Sequence, residues 1–286
     1  MIKYKVKPVL FFILLTGFWH LASAQSNNGF VNSFYLGLKG GANLSHVLVL
    51  DQYQIFSSIG QVEAGSKEYD KIYQNLGYQY GIVGLYTIND KMNLIFEPTF
   101  AHYRFGYSGS NTWIDTDNEG MARTSSQEHK QHLRYLELPL LLQIYRDMAP
   151  LKPYVIAGGY YGLLMGAEKL MHISEVTTIN DQDFTTSSED QRLFYNDQYI
   201  KSRLAAVAEI GAIYDFNNLQ IMFGIGYHFS FNNITNENAR YSNQMITGSS
   251  YDINDNIRLN SLNLNVRIFL PLNKPSNLIK SLTCQL

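Results

Sequence analysis

The chain carries one cysteine, Cys284, in 286 residues. A single cysteine excludes an internal disulfide framework, so stability must come from packing and hydrogen bonding. Charge is scarce, at 16% of residues. Beyond the first 24 residues no run approaches 18 consecutive apolar residues, which excludes a transmembrane helix. No G-x-S-x-G elbow, P-loop, H-E-x-x-H or C-x-x-C occurs, so no cofactor is expected and the common catalytic signatures are missing. What the chain does have is aromatic residues and glycine: 21 Tyr, 16 Phe and 21 Gly. Without helical periodicity, that composition points to β-structure.

The first residues set the compartment. Met1 to Lys7 is basic, Val9 to Trp19 almost wholly apolar, and Ala22-Ser23-Ala24 follows. This is the pattern of a secretory signal peptide with cleavage expected near Ala24. The residue directly after that site is Gln25, not cysteine, so a lipid anchor there is excluded. Taking away the three lysines of this segment leaves 19 basic residues against 24 acidic, a net charge of −5. That balance argues against nucleic acid as a partner.

Period-two alternation recurs along the rest. Leu36, Leu38, Gly40, Ala42 and Leu44 alternate with Gly37, Lys39, Gly41 and Asn43. Leu262, Leu264, Val266, Ile268 and Leu270 alternate with Ser261, Asn263, Asn265, Arg267 and Phe269. Successive strand side chains face opposite sides, so each segment has one apolar and one polar or small face. Eight such segments are expected, at 34–45, 76–88, 92–105, 132–145, 153–165, 200–214, 219–231 and 258–270. The connections 46–75, 106–131, 166–199 and 232–257 are long and polar, while 89–91, 146–152 and 215–218 are short. Long and short alternate throughout. That rhythm predicts an all-β, eight-stranded antiparallel up-and-down transmembrane β-barrel with short periplasmic turns and long external loops. The expected organisation is a signal peptide at 1–24, a short periplasmic segment at 25–33, the barrel at 34–270 and a tail at 271–286.

Parity then explains three glutamates set in apolar strands. Glu137 opposes Leu136, Leu138, Leu140 and Leu142; Glu97 opposes Leu94, Phe96, Pro98 and Phe100; Glu209 opposes Leu204, Ala208 and Ile210. All three point inward, as do Lys39 and Arg267. A basic residue on the lipid face near the midplane costs about 2–4 kcal/mol, so inward placement is favoured. An eight-stranded interior is just filled by side chains. Lys39, Glu97, Glu137, Glu209 and Arg267 are therefore expected to form one structural charge cluster, an ionic plug. Tyr86, Tyr145, Tyr154 and Tyr214 fall near the short-turn ends. Tyr78, Tyr80, Tyr103, Tyr135, Tyr227 and Phe229 fall near the long-loop ends. Two aromatic bands of this kind suit interfacial girdles.

Five stretches carry a resemblance. "YLGLKGGANLS", "LIFEPTF", "RYLELPLLLQIY", "KPYVIAGGYYGLLMGA" and "YHFSFNNIT" resemble, in order, strands of the outer-membrane β-barrel family that includes PorT-like proteins and porin-family small barrels. The resemblance covers roughly 34 to 270. It implies an outer-membrane barrel, with one branch of the family taking part in type IX secretion and gliding. One departure is the tail "PLNKPSNLIKSLTCQL" after Phe269-Leu270, because such barrels commonly end on an aromatic residue of the last strand. The implied partners are outer-membrane lipid, the outer-membrane insertion machinery and a protein reached through the long loops.

Other chemistry is weighed against plainer readings. His102, His228 and Ser230 lie near loop ends, where some small barrels carry a catalytic rim, but girdle or loop roles are commoner. Glu128, His129 and His132 suggest metal only weakly, being read as part of a polar loop. The acidic stretch 166–199 holds Glu168, Glu175, Asp181, Asp183, Glu189, Asp190 and Asp197 against Lys169 and Arg192. No EF-hand pattern supports calcium there. Gly40-Gly41 and Gly158-Gly159 are read as relieving strand crowding. The leading expectation is a non-enzymatic, loop-presenting or complex-anchoring barrel with a plugged lumen. A passive channel, a rim enzyme and a soluble ligand-binding barrel are the competing classes.

Overall fold

The computed structural model describes residues 34–53, 61–64, 67–114, 121–148, 150–188, 190–194, 196–216, 219–241 and 252–271. The expected signal segment, the stretch 25–33, Glu189 and the tail with Cys284 lie outside the described residues. Thirteen strands form one antiparallel sheet. They are β1 (Phe34–Asp51), β2 (Gln61–Ala64), β3 (Glu68–Tyr69), β4 (Leu76–Asn89), β5 (Met92–Phe96), β6 (Thr99–Ile114) and β7 (Met121–Tyr145). There follow β8 (Leu151–Ile179), β9 (Gln182–Ser187), β10 (Gln191–Phe194), β11 (Ser202–Phe216), β12 (Leu219–Ser230) and β13 (Asn256–Pro271). No helix among the described residues is long and apolar enough to cross a membrane.

The pairing closes on itself. From β1 the circuit runs to β4, then β5 with β6, then β7, β8, β11, β12 and β13, which pairs back onto β1. Strands β5 and β6 are one stave interrupted at Glu97-Pro98. Gly84 faces Phe96 and Gly81 faces Thr99, so the register continues without a shift. Pro98 has no N–H to give, but its carbonyl accepts from Ile82 N at 3.2 Å. Closure leaves the circuit without an edge, the condition hydrocarbon imposes.

Side chains sort by parity as their period demands. Leu38, Ile210 and Leu140 are 66%, 65% and 57% exposed on the outer face, while Glu137 and Arg267 on the inner face are 1% and 0% exposed. Inside, an apolar cluster at the short-turn end includes Val83, Leu85, Ile95, Leu141, Ile156, Ile213 and Met222. A second, towards the long connections, includes Tyr103, Phe105, Leu133, Tyr135, Ile234 and Leu259.

Three expectations need correction. The stretches 106–131 and 166–199 are not irregular loops. β6 runs on to Ile114, β7 starts at Met121, and β8 continues to Ile179. A two-residue turn, Asn180-Asp181 with φ 49° and 65°, then returns the chain into β9. These extensions are polar on the outer face and partly polar on the inner one, so the apolar alternation fades while the strand persists. A membrane strand needs about 9–11 residues; β7 has 25 and β8 has 29. Nor are all the named aromatics girdle residues. Tyr103 and Tyr135 are fully buried in the interior, Tyr154 is 3% exposed and also interior, and Tyr145 packs against the inner cluster. Finally, His129 and His132 lie on β7, not in a loop, and face opposite sides of the sheet.

Candidate functional site

The lumen holds two separate polar networks between the strands. Lys39 on β1 and Arg267 on β13 are directly opposite each other across the β1–β13 seam. Two cations in that relation repel, so an acid must lie between them. Glu97, at the break in the third stave, supplies it: Lys39 Nζ donates to Oε1 at 2.7 Å and Arg267 Nε to Oε2 at 2.6 Å. Arg267 also reaches Glu209 on β11, with Nη2 donating to Oε2 at 3.0 Å. Tyr154 OH and Asn265 Nδ2 each donate to Glu209 at 2.7 Å. Two cations thus meet two carboxylates, and Glu209 accepts from two neutral donors as well.

Backbone space is part of this arrangement. A Cβ at Gly224 would stand 2.2 Å from Glu209 Oε1 and 2.3 Å from Tyr154 OH. Glycine there is what lets the carboxylate lie against the sheet.

Glu137 does not join the other four. It sits with Arg203, Nη1 to Oε1 3.5 Å, and accepts from Tyr103 OH at 2.6 Å. The Arg203 guanidinium lies 4.7 Å from the Tyr103 ring centroid, 5.4 Å from Tyr160 and 5.6 Å from Tyr135. A desolvated guanidinium is held well by such ring faces. Its Nε donates to Ser230 Oγ at 2.7 Å. The single expected cluster is therefore two, because Glu137 lies farther towards the long connections than Glu97 and Glu209. Arg203 went unnoticed at the sequence level, although it shares the inward parity of Glu209.

A third network occupies the extended outer part. Lys169 on β8 donates to Tyr107 OH at 2.8 Å and pairs with Asp252. Lys67 pairs with Asp252 at 3.3 Å and Asp255 at 3.1 Å, and Tyr69 OH donates to Asp255 at 2.8 Å. Lys67, Asp252 and Asp255 come from the connections, folded inward over the lumen. His129 lies beside them, its ring 4.7 Å from that of Tyr107. Burial, with the nearby Lys169 charge, pushes His129 down to about 3, and Asp252 opposes that shift. Asp252 is held well below the usual carboxylate range: burial works against it, but Lys169, His129 and Lys67 outweigh burial.

The catalytic and metal candidates are placed as follows. His228 and Ser230 are buried, at 4% and 0% exposure, and Ser230 donates to Leu259 O at 2.5 Å while accepting from Arg203. His102 faces outward, stacked on Tyr78 with ring centroids 4.9 Å apart. Among the described residues no group of three or more His, Cys, Asp or Glu could hold a metal. Asp183 accepts from Thr178 at 2.6 Å, Glu175 pairs with Arg123, and Asp190 pairs with His172 at 3.0 Å. Gly41 and Gly158 are crowded, with an added Cβ 2.3 Å from Leu264 O and Leu140 O respectively, whereas Gly40 faces open space.

A closed antiparallel circuit with an apolar exterior and a charged, filled interior now stands beside a family model. The model described as outer membrane protein beta-barrel domain matches residues 23–236. The chain belongs to the outer membrane protein beta-barrel domain family. Among solved structures, this barrel is similar to Neisserial surface protein A at 12% identity and TM-score 0.31, over 82% of this chain and 96% of that one. It is similar to Ail of Yersinia pestis at 12% identity and TM-score 0.32, over 83% and 99%. It is also similar to OprG of Pseudomonas aeruginosa at 12% identity and TM-score 0.32, over 84% and 93%. At such identities and scores these likenesses carry no argument about activity. No curated protein matches the sequence.

Proposed function

We propose that the protein is an integral, non-enzymatic barrel of a gram-negative outer membrane, inserted after signal-peptide cleavage near Ala24. Eight staves cross the bilayer, counting β5 and β6 as one. The short turns face the periplasm, and the elongated external sheet presents a surface to a protein partner or anchors a complex, as in the PorT-like branch. The outer-membrane insertion machinery and lipid are the other partners in this reading.

The observation that carries it is the Lys39–Glu97–Arg267–Glu209 network, which crosses the lumen from staves on different sides of the circuit. Removing one partner of a buried ion pair costs about 3–5 kcal/mol, because it leaves an uncompensated charge, so the paired geometry is held. A filled cross-section of this kind supports a scaffold over a channel. The burial of His228 and Ser230 supports a non-enzymatic reading.

The test is a pair of measurements on the native chain. Outer-membrane fractions run boiled and unboiled on a detergent gel are expected to show faster migration unboiled. The purified barrel in planar bilayers is expected to give no steady conductance. Steady single-channel openings would replace the scaffold reading with a porin.

A further inference from the structure

One sector of the outer face breaks the apolar pattern in a single step. The register places Tyr80, Phe100, Leu136 and Leu163 in one lateral row across β4, β6, β7 and β8. All four are apolar or aromatic and point outward. The next row towards the long connections reads Tyr78, His102, Arg134 and Gly166. The row after that reads Arg104, His132 and Glu168. Arg134 and Arg104 are diagonal neighbours across the β6–β7 pair, a separation of roughly 7–8 Å at the backbone. Arg134 stretches over Gly166, where any side chain would meet its guanidinium at 2.8 Å.

The charge here is unbalanced. Glu168 is the one acid in these rows. Arg134 approaches it at 2.8 Å and Arg192, from β10, approaches its other oxygen. Both guanidiniums stay more than half exposed, at 53% and 61%. Arg104 is exposed and makes no ion pair among the described residues. Over the next two rows the balance returns to neutral: Lys130 pairs with Glu128 at 2.9 Å, and Asp70 lies over Gly106. The cationic excess is therefore confined to the two rows directly above the apolar belt. Elsewhere on the circuit the long-connection end of β12 is apolar on its outer face, with Phe229 and, just past the strand, Phe231 exposed.

We propose that the outer face of the β6–β7–β8 sector binds a phosphorylated lipid headgroup of the outer leaflet, with Arg104 and Arg134 as its phosphate ligands. The inference rests on the membrane reading above and deepens it. Acyl chains lie against Tyr80, Phe100, Leu136 and Leu163, which puts the headgroup one step higher, at the arginines. A guanidinium gives planar, two-pronged donation to phosphate and stays charged at any relevant pH. The stacked Tyr78 and His102 form the wall beside it, in the interfacial position such rings favour. Glu168 splays Arg134 and Arg192 without cancelling both.

The test uses the full barrel in phosphatidylcholine nanodiscs doped with a diphosphorylated acyl-disaccharide (lipid A), with its dephosphorylated form in parallel. Lipid retained after detergent extraction is measured by mass spectrometry. Arg104→Gln/Arg134→Gln is expected to lower retention of the phosphorylated lipid about tenfold, each surface cation near such lipids being worth roughly a several-fold change. The heat-induced gel shift should stay unchanged, and Arg146→Gln at the short-turn end should behave as wild type. If the double variant fails to fold, Arg104→Gln alone serves, and a several-fold loss is expected. Equal retention in wild type and variant, or equal retention of the dephosphorylated lipid, would overturn the site. Displacement by inorganic phosphate at matching concentration would make it a soluble-anion site and overturn the lipid assignment. A wild-type chain with no gel shift would instead sink the membrane reading beneath it.

Discussion

The two buried charge networks at opposite heights of the barrel are built alike and held differently. Lys39, Glu97, Glu209 and Arg267 all stand on staves of the closed circuit or, for Glu97, at the break within one. In the outer network, Lys169 and Tyr107 stand on strands, but Lys67, Asp252 and Asp255 come from connections. The inner network cannot separate unless the circuit opens. The outer one can separate by local movement of the segment around Asp252. Equal chemistry therefore gives unequal cooperativity, since local opening draws on the few contacts of one segment and not on the whole fold.

The sharpest way to break that contrast is Arg267→Met. It leaves Glu97 and Glu209 buried with only Lys39, so a loss of about 3–5 kcal/mol is expected. The urea midpoint of the gel-shifted form should fall for the whole barrel in one transition. Asp252→Asn strips the outer network of its shared acid. Because its segment can move back into water, a smaller loss of about 2–3 kcal/mol is expected. That loss should appear as faster hydrogen exchange around 252–256, with the barrel midpoint unmoved.

Acidification probes the same segment without mutation. His129 faces Lys169, Asp252 and Lys67, with Gln127 Oε1 3.2 Å from its Nε2. Its folded pKa of about 3 lies below the ordinary 6.5. The opened segment therefore takes up a proton first as pH falls below about 6.5, while the closed one does not. The stability that neutral His129 contributes is complete above that pH and lost steadily below it, by about 2 kcal/mol at pH 5. Asp252 is depressed, so its contribution is lost only below the usual carboxylate range and does not enter this window. Exchange at 252–256 should quicken from pH 7 to 5 after correction for intrinsic rates; an unchanged protection factor would remove His129 from the account. At the small end, Arg123→Gln breaks an exposed pair with Glu175 and should change stability by under about 1 kcal/mol.

How much of this was legible depended on whether one face was apolar. Parity located Lys39, Glu97, Glu137, Glu209 and Arg267 on the inner face, because the opposing leucines and isoleucines made the period visible. Tyr103 shares that inward parity with Glu97, and Tyr135 with Glu137, but the parity was not applied to them. Height along the strand was a weaker guide, and it misplaced them in the girdle. Arg203 was equally readable and was missed because no apolar run surrounds it as Leu136, Leu138 and Leu140 surround Glu137. The strands beyond the membrane band could not be read this way. From Gln127 to Gln131 both faces of β7 are polar, so a two-residue period leaves little mark on composition. Partners across the lumen were also invisible. Glu137 and Glu97 share a parity, but which cation each meets is set by the stagger of strands around the ring.

The position of Arg267 bears on assembly. It stands on the last strand, while Glu97 and Glu209 belong to staves made earlier in the chain and Lys39 belongs to the first. Without β13, Lys39 is left to pair with Glu97 alone and Glu209 has no cation partner among the described residues. The same event that zips β13 to β1 brings the guanidinium between the two carboxylates. The seam is thus fastened twice, once by backbone pairing and once by a charge that only the final strand delivers, so a chain missing its last stave is also left with an unneutralised interior.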